Sequence, residues 1–196
     1  MQKIEIDVPD GKSGIWEVKT ITVTENDAKI ARMRAIMSSQ GGRGVIKPGQ
    51  YKQLTRGGYI IMSNTPDECR DFAHFVYVAR GSVLVNGLGL GVLLKVLLNR
   101  IGITEITVIE KSPDVIALVG DTYRKDSRVT IIEADAFTWQ PPKENFYDFI
   151  YHDVWDDITS DNLPEMAKLH RKYGKRCTYQ ESWCKDECLR AKRRYC

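Results

Sequence analysis

The stretch Gly81-Ser82-Val83-Leu84-Val85-Asn86-Gly87-Leu88-Gly89-Leu90-Gly91 decides how the rest of the chain reads. Val83 to Val85 is a short, β-rich apolar run, and Gly87, Gly89 and Gly91 follow it at alternate positions. Val92-Leu93-Leu94-Lys95-Val96-Leu97-Leu98 is then an apolar helical run, closed by Gly102. Strand, glycine turn and helix in that order suit a nucleotide-like ligand at the carboxyl end of a first parallel strand. A Cβ in the turn would hold the backbone away from such a ligand, and the helix start offers free N–H groups. The same glycines also suit a plain strand-to-helix turn, so the residues downstream decide between the two.

Downstream, strands and helices alternate. Residues 105–110, 128–132, 146–151 and 176–179 read as strands, and helical stretches separate them at about 112–124 and 163–173. A last helix is expected over 184–194. Alternation of this kind gives a parallel sheet with helices on both faces. The expected fold is α/β: a Rossmann-like, doubly wound sheet in the order 3-2-1-4-5, shortened at its C-terminal end. Residues 81–196 would form this domain, and residues 1–80 an N-terminal extension.

Within the extension, residues 3–8 alternate as a half-buried strand does. Residues 9–14 carry turn chemistry, and residues 16–24 alternate again, so a β-hairpin is expected. Thr24 can cap a helix from Glu25 to about Ser39, with Ala28, Ile30, Met33 and Met37 on or near one face and the methionines filling the core. The segment 41–58 is rich in glycine, at Gly41, Gly42, Gly44, Gly49, Gly57 and Gly58, and basic at Arg43, Lys47, Lys52 and Arg56. So long a loop reads as a lid or binding loop, or as a disordered connector. Residues 59–62 read as a short strand, and Thr65-Pro66-Asp67-Glu68 starts a helix that runs to about Ala79.

Composition narrows the class. A chain of 196 residues with 42% hydrophobic and 28% charged residues suits a globular protein with a sizeable core. It has no apolar run near the ~20 residues of a membrane span, and Met1 to Glu5 lack the apolar core of a signal peptide. A cytoplasmic protein with reduced thiols is expected. The net charge of +3 is uneven: residues 1–167 carry −4 and residues 168–196 carry +7. A basic tail can meet nucleic acid, but without interleaved aromatics a solvated helix face is the preferred reading.

Ligands of an open parallel sheet bind beyond the carboxyl ends of its strands. Those ends carry the glycine turn, Glu110, Asp135, His152 with Asp153, and Gln180 with Glu181. Glu110 ends the second strand, downstream of Gly91, where a carboxylate can accept hydrogen bonds from both hydroxyls of a ribose. Asp135, Ala136 and Phe137 suit an adenine, with a carboxylate for the exocyclic amine and apolar contacts for the ring; Asp135 could instead serve as a helix cap.

As a set, these residues resemble the S-adenosylmethionine-binding motifs of class I methyltransferases. The resemblance rests on residues 83–91, Val108-Ile109-Glu110 and Glu133-Ala134-Asp135-Ala136, and spans about residues 81–183. Within that superfamily it leans towards spermidine synthase. Tyr147-Asp148-Phe149-Ile150-Tyr151-His152-Asp153 is similar to the strand that ends in that family's catalytic aspartate, and Gln180-Glu181-Ser182-Trp183 to its Gln-x-Glu-Ser segment. The chain departs from the pattern at Val85, where methyltransferases often carry an acid. It also lacks the glycine-and-aspartate-rich turn and the Asp-Ser-Ser/Thr-Asp-Pro gate of spermidine synthase.

The resemblance implies an S-adenosylmethionine-dependent methyltransferase; its acceptor stays open, with the acids at the strand ends favouring an amine or other cationic one. The alternatives are an aminopropyltransferase and a non-catalytic, adenosyl-ligand-binding scaffold. The ligand would lie against Asn86, Gly87, Leu88, Gly89, Gly91, Glu110, Lys111, Asp135, Ala136, Phe137 and Asp153, with Asp153 catalytic. Asp153, Asp156, Asp157 and Glu181 would make an acidic entrance. His152 reads either as a titrating partner of Asp153 or, preferably, as a packed strand-end residue. Cys177, Cys184, Cys188 and Cys196 lack the paired spacing of zinc knuckles, so no metal is expected. The superfamily's usual sixth and seventh strands are not expected, which leaves the fifth at an edge. The N-terminal region or a second copy, in a homo-oligomer, would cover it.

Overall fold

The central strand is Gly81–Asn86, buried along its last four residues, as a strand covered on both faces must be. In the computed structural model, which describes residues 3–37 and 44–194, it is the middle of a five-stranded, wholly parallel sheet. With strands numbered along the chain, β1 is Gly11–Ser13, β2 Trp16–Val23, β3 Gly49–Arg56, β4 Tyr59–Ser63 and β5 Gly81–Asn86. They are followed by β6 Ile103–Glu110, β7 Val129–Glu133, β8 Tyr147–His152 and β9 Cys177–Ser182. The parallel sheet runs β7-β6-β5-β8-β9, the expected 3-2-1-4-5 order.

Pleating sends Val83 and Val85 to one face and Leu84 to the other. The first face packs with Phe75, Leu94, Leu97, Val119 and Tyr123 from flanking helices. The second packs with Leu169 and Tyr173 from the helix Asn162–Tyr173. Helices therefore cover both faces, and the sheet is doubly wound. Tyr147, Tyr151, Leu84 and Ile150 are wholly buried in it. β9 ends the sheet, with β8 its only strand neighbour among the described residues.

The N-terminal region differs from its sequence reading in three respects. The hairpin is present, but its first strand is Gly11–Ser13, which pairs antiparallel with β2. Residues 3–10 lie outside both sheets. Their alternation is real, because Ile6 and Val8 are buried in the main core; they pack there without a strand partner.

The basic, glycine-rich segment is not a lid over its described part. Residues 49–56 form β3, which pairs with β2 from Trp16↔Arg56 to Val23↔Gly49. Gly57 and Gly58, both at positive φ, turn the chain into β4. The result is a four-stranded antiparallel sheet, β1-β2-β3-β4. The glycines mark the ends of a strand rather than the course of one continuous loop; residues 41–43, with Arg43, lie outside the described residues.

The methionines of the first helix do not fill the core. The helix Glu25–Met37 is capped as expected: Thr24 Oγ1 accepts from the Asp27 amide at 3.2 Å, and Asp27 Oδ2 accepts from the Thr24 amide at 2.9 Å. Ile30, Met33, Ile36 and Met37 are nevertheless exposed, and Ala35 is its buried residue. The expected end of this helix at Ser39 lies outside the described residues.

Gly91 gives a direct stability test. It stands at φ +69°, and a Cβ there would lie 2.1 Å from the Tyr123 ring. Gly57 stands at φ +56° with nothing near its missing Cβ. Gly57→Ala is expected to cost about 1 kcal/mol of left-handed strain alone. Gly91→Ala adds a ring clash and is expected to cost more than about 3 kcal/mol. Denaturant midpoints of the two variants measure the difference.

Candidate functional site

The carboxyl ends of β5, β6, β7 and β8 open into one cleft of about 910 Å³, its mouth included. Of the residues expected to hold a ligand, Gly87, Gly89, Glu110, Lys111, Asp135, Ala136, Phe137 and Asp153 line it. Asn86, Leu88 and Gly91 do not. Asn86 is fully buried and turned to His152, Leu88 is buried in the main core, and Gly91 packs on Tyr123 at the start of the helix Val92–Leu98.

The glycine turn is shaped first by protein contacts. Gly87 stands at φ +103°, and a Cβ on it would meet the Asp153 carbonyl oxygen at 1.9 Å. Any side chain there would force the ends of β5 and β8 apart. A Cβ on Gly89 would meet the Met62 thioether at 2.6 Å, and the Leu90 amide donates to that sulfur at 3.2 Å. Met62, from β4, thus covers the turn from the antiparallel sheet.

Glu110 closes the other side of the turn. Its Oε2 accepts from the Leu88 amide at 2.9 Å and its Oε1 from the Ser112 amide at 2.8 Å. These charge-assisted bonds fix the carboxylate at the floor of the cleft. Each oxygen keeps a further lone pair. Asp135 Oδ1 accepts from the Phe137 amide at 2.6 Å, a local turn that sets the Phe137 ring beside the cleft. The Ala136 carbonyl is held from behind by the Tyr173 hydroxyl at 2.8 Å and by Lys172 Nζ at 2.9 Å.

Asp153 follows β8, and its amide donates to the Asn86 carbonyl at 2.8 Å. The residue is half-buried because it borders the cleft, yet protein encloses its carboxyl closely enough to penalise the charge. Burial pushes this carboxyl well above the usual carboxylate range, and the neighbouring Glu68, Asp71 and Glu110 push it further. His152 has the opposite fate. Its ring is buried, burial lowers it to about 3, and it is therefore a neutral, packed residue.

Of the four acids expected at the entrance, Asp153 and Asp156 line the cleft, and Asp157 and Glu181 do not. Asp156 pairs with Arg56 of β3, whose guanidinium also lies over the Trp16 ring at 5.4 Å. Glu181 Oε2 meets His74 Nδ1 at 2.9 Å and accepts from the Tyr179 hydroxyl at 2.9 Å. The Trp155 indole donates to Glu165 at 2.8 Å. Trp16, Leu54, Arg56, Ile61, Met62 and Glu68, all from the N-terminal extension, line the cleft. The sequence reading of 41–58 as a lid or binding loop points to Leu54 and Arg56, but not to Trp16, Ile61 and Met62, which strand pairing over long separations brings to the cleft.

No protein-family model matches the chain, and no curated protein matches it by sequence. Solved structures do. The crystal structure of spermidine synthase from Thermotoga maritima aligns with a TM-score of 0.50 and 14% identity over 87% of this chain and 52% of that one. Residues 81–196 alone fall far short of that coverage, so the alignment extends into the N-terminal extension. The chain shares the fold of that structure. N-methyltransferase NodS from Bradyrhizobium japonicum aligns with a TM-score of 0.46 and 16% identity over 57% of this chain and 63% of its own. The 23S rRNA methyltransferase ErmE aligns with a TM-score of 0.44 and 19% identity over 58% of this chain and 43% of its own. The chain thus spans about half the length of these structures. Among the described residues no helix is long and apolar enough to cross a membrane.

The Asp153 environment has a measurable consequence. A carboxyl whose folded value is raised binds a proton in the folded state that the unfolded state has released. Stability therefore falls as pH rises from about 4 through the raised value. Asp153→Asn removes that penalty. The variant is expected to show a higher denaturant midpoint than the parent at pH 8, with the gap closing as pH falls towards 4. Equal midpoints at both values would mean that the carboxyl is not disfavoured.

Proposed function

We propose that the chain is an S-adenosylmethionine-dependent transferase that binds the adenosyl ligand in this cleft and methylates an amine or other cationic small molecule. One observation carries the reading. A carboxylate at the end of β6, a turn of small and aromatic residues after β7, and a carboxyl after β8 border one cleft around a glycine turn. In this assignment Glu110 accepts from the ribose hydroxyls with its remaining lone pairs. Ala136 and Phe137 take the adenine ring, and Asp135 takes its amine with the oxygen that the Phe137 amide leaves free.

The bound ligand supplies a sulfonium, whose methyl carbon is electrophilic. The chain's residues then hold an acceptor in line with that carbon and keep water out. On transfer the acceptor lone pair would form the new bond to carbon as the carbon–sulfur bond breaks, and the electron pair would stay on sulfur as a neutral thioether. The acceptor's proton passes to the Asp153 carboxylate. A carboxyl raised by burial and by Glu68, Asp71 and Glu110 is a better base for this step than an exposed one. The same acids favour a cation. They also support a second reading, aminopropyl transfer, to which the likeness to spermidine synthase over 87% of this chain adds weight.

Calorimetry with S-adenosylmethionine, S-adenosylhomocysteine and decarboxylated S-adenosylmethionine tests the reading. The parent is expected to bind at least the first two, and Glu110→Gln to bind them more than about tenfold less tightly, a loss of about 1.4 kcal/mol. Preference for the decarboxylated ligand would favour aminopropyl transfer, and no binding of any of the three by folded protein would remove both readings. Asp153→Asn is expected to keep ligand affinity within a few fold, with turnover down by ~10²-fold.

A further inference from the structure

Behind the cleft, on the face of the sheet away from Met62, lies a buried polar chain that the proposed chemistry does not use. Asn86, His152 and Ser182 end β5, β8 and β9, and each immediately precedes a residue of the cleft: Gly87, Asp153 and Trp183. Asn86 and His152 have no solvent exposure. Asn86 Nδ2 lies 2.7 Å from His152 Nδ1, and His152 Nε2 lies 3.1 Å from Gln180 Oε1. Gln180 Nε2 donates to the His170 carbonyl at 2.9 Å.

The donors run in one direction. Gln180 must present its amide nitrogen to the His170 carbonyl, so its oxygen faces His152. That oxygen requires the ring proton on Nε2. Nδ1 then holds a lone pair, which accepts from Asn86 Nδ2. The His170 and Tyr173 rings pack against this imidazole with centroids at 5.3 and 5.5 Å. Burial, together with the nearby His170, opposes a second proton.

The same residues anchor the cleft through their main chains. The Asn86 carbonyl accepts from the Asp153 amide at 2.8 Å, and the His152 carbonyl accepts from the Trp183 amide at 2.9 Å. Packing alone does not account for Asn86, because its buried Oδ1 has no partner of good hydrogen-bond geometry among the described residues, with the Tyr173 side chain its polar neighbour. Leaving such a group unpaired costs about 1–3 kcal/mol, a cost that an apolar residue would avoid.

We propose that His152 is a positioning residue: its neutral ring, clasped between Asn86 and Gln180, fixes the ends of three strands and thereby sets Gly87, Asp153 and Trp183 around the cleft. Only the ligand-binding arm of its test rests on the adenosyl-ligand reading. The ring holds the register of β5, β8 and β9 at the one place where they reach the cleft, and it reaches the ligand only through those neighbours.

The test compares the parent with His152→Phe, which keeps a ring but removes both hydrogen bonds, and with His152→Gln, which can restore both. Nitrogen NMR of the parent imidazole is expected to show a single proton, on Nε2, at pH 6. His152→Phe is expected to speed hydrogen exchange of the Asp153 and Trp183 amides by about tenfold or more beyond the change at strand amides of the antiparallel sheet, such as Val18. It is also expected to weaken S-adenosylhomocysteine binding by about tenfold. His152→Gln is expected to bring exchange and binding back to within a few fold of the parent. A doubly protonated ring at pH 6, or parent-like exchange at Asp153 and Trp183 in folded His152→Phe, would overturn the proposal. If the parent binds no S-adenosylhomocysteine, the functional reading fails, while the NMR and exchange arms still decide the role of His152. If His152→Phe does not fold, Gln180→Leu removes one of the ring's two partners and gives the same exchange readout.

Discussion

The close approach of Gly87 to the Asp153 carbonyl is the constraint on which the site depends. With 1.9 Å between that oxygen and the position of a Cβ, only glycine lets β5 and β8 end side by side. Everything in the cleft is referred to that contact. The Gly87 amide donates to Ile109 of β6, the next amide along donates to Glu110, and the Asp153 amide returns to Asn86. Three strand ends are thus sewn together by main-chain bonds before any side chain meets a ligand. A site built on strand ends in this way is held by the whole parallel sheet.

The antiparallel sheet supplies what the parallel sheet lacks, a wall facing the strand ends. Met62 rests on the glycine turn, and Arg56 reaches across to Asp156. Ile6, Val8, Val18 and Leu54 share a core with Val83, Val85 and Tyr151, so this wall is packed against the sheet. A ligand that lies along the glycine turn must therefore share the cleft with the Met62 side chain, which can change rotamer at little cost.

The parallel sheet is legible in the sequence because burial on both faces leaves a strong signal. β5, β6 and β8 each carry a β-branched or aromatic apolar stretch in their C-terminal half, and each ends at a turn with a carboxylate or glycine. Glu110, Asp135 and Asp153 are found by position alone, since the fold brings every strand end to one edge. The antiparallel sheet is harder. β3 reads Gly-Gln-Tyr-Lys-Gln-Leu-Thr-Arg, a polar strand between glycines, in which Tyr51 and Leu54 are buried on opposite faces and leave no alternating pattern. Its partner β2 ends at Val23, with the whole helix Glu25–Met37 between the two strands, and that separation hides the pairing. The exposed apolar residues of the same helix show the limit from the other side: spacing predicts a face but not what lies opposite it. The glycines suggest a ligand, whereas Gly87, Gly89 and Gly91 first make room for Asp153, Met62 and Tyr123.

The central claim is that an adenosyl ligand lies between the glycine turn and Glu110, with its reactive end towards Asp153. Backbone amide NMR of the isotope-labelled protein, titrated with S-adenosylhomocysteine, tests it most directly. The account predicts saturable shifts concentrated at Gly87, Leu88, Gly89, Glu110, Lys111, Ala136, Phe137 and Asp153, with β1 and the helix Lys185–Arg194 unmoved. Saturable shifts confined to another surface would contradict it, as would a spectrum that does not respond at millimolar ligand.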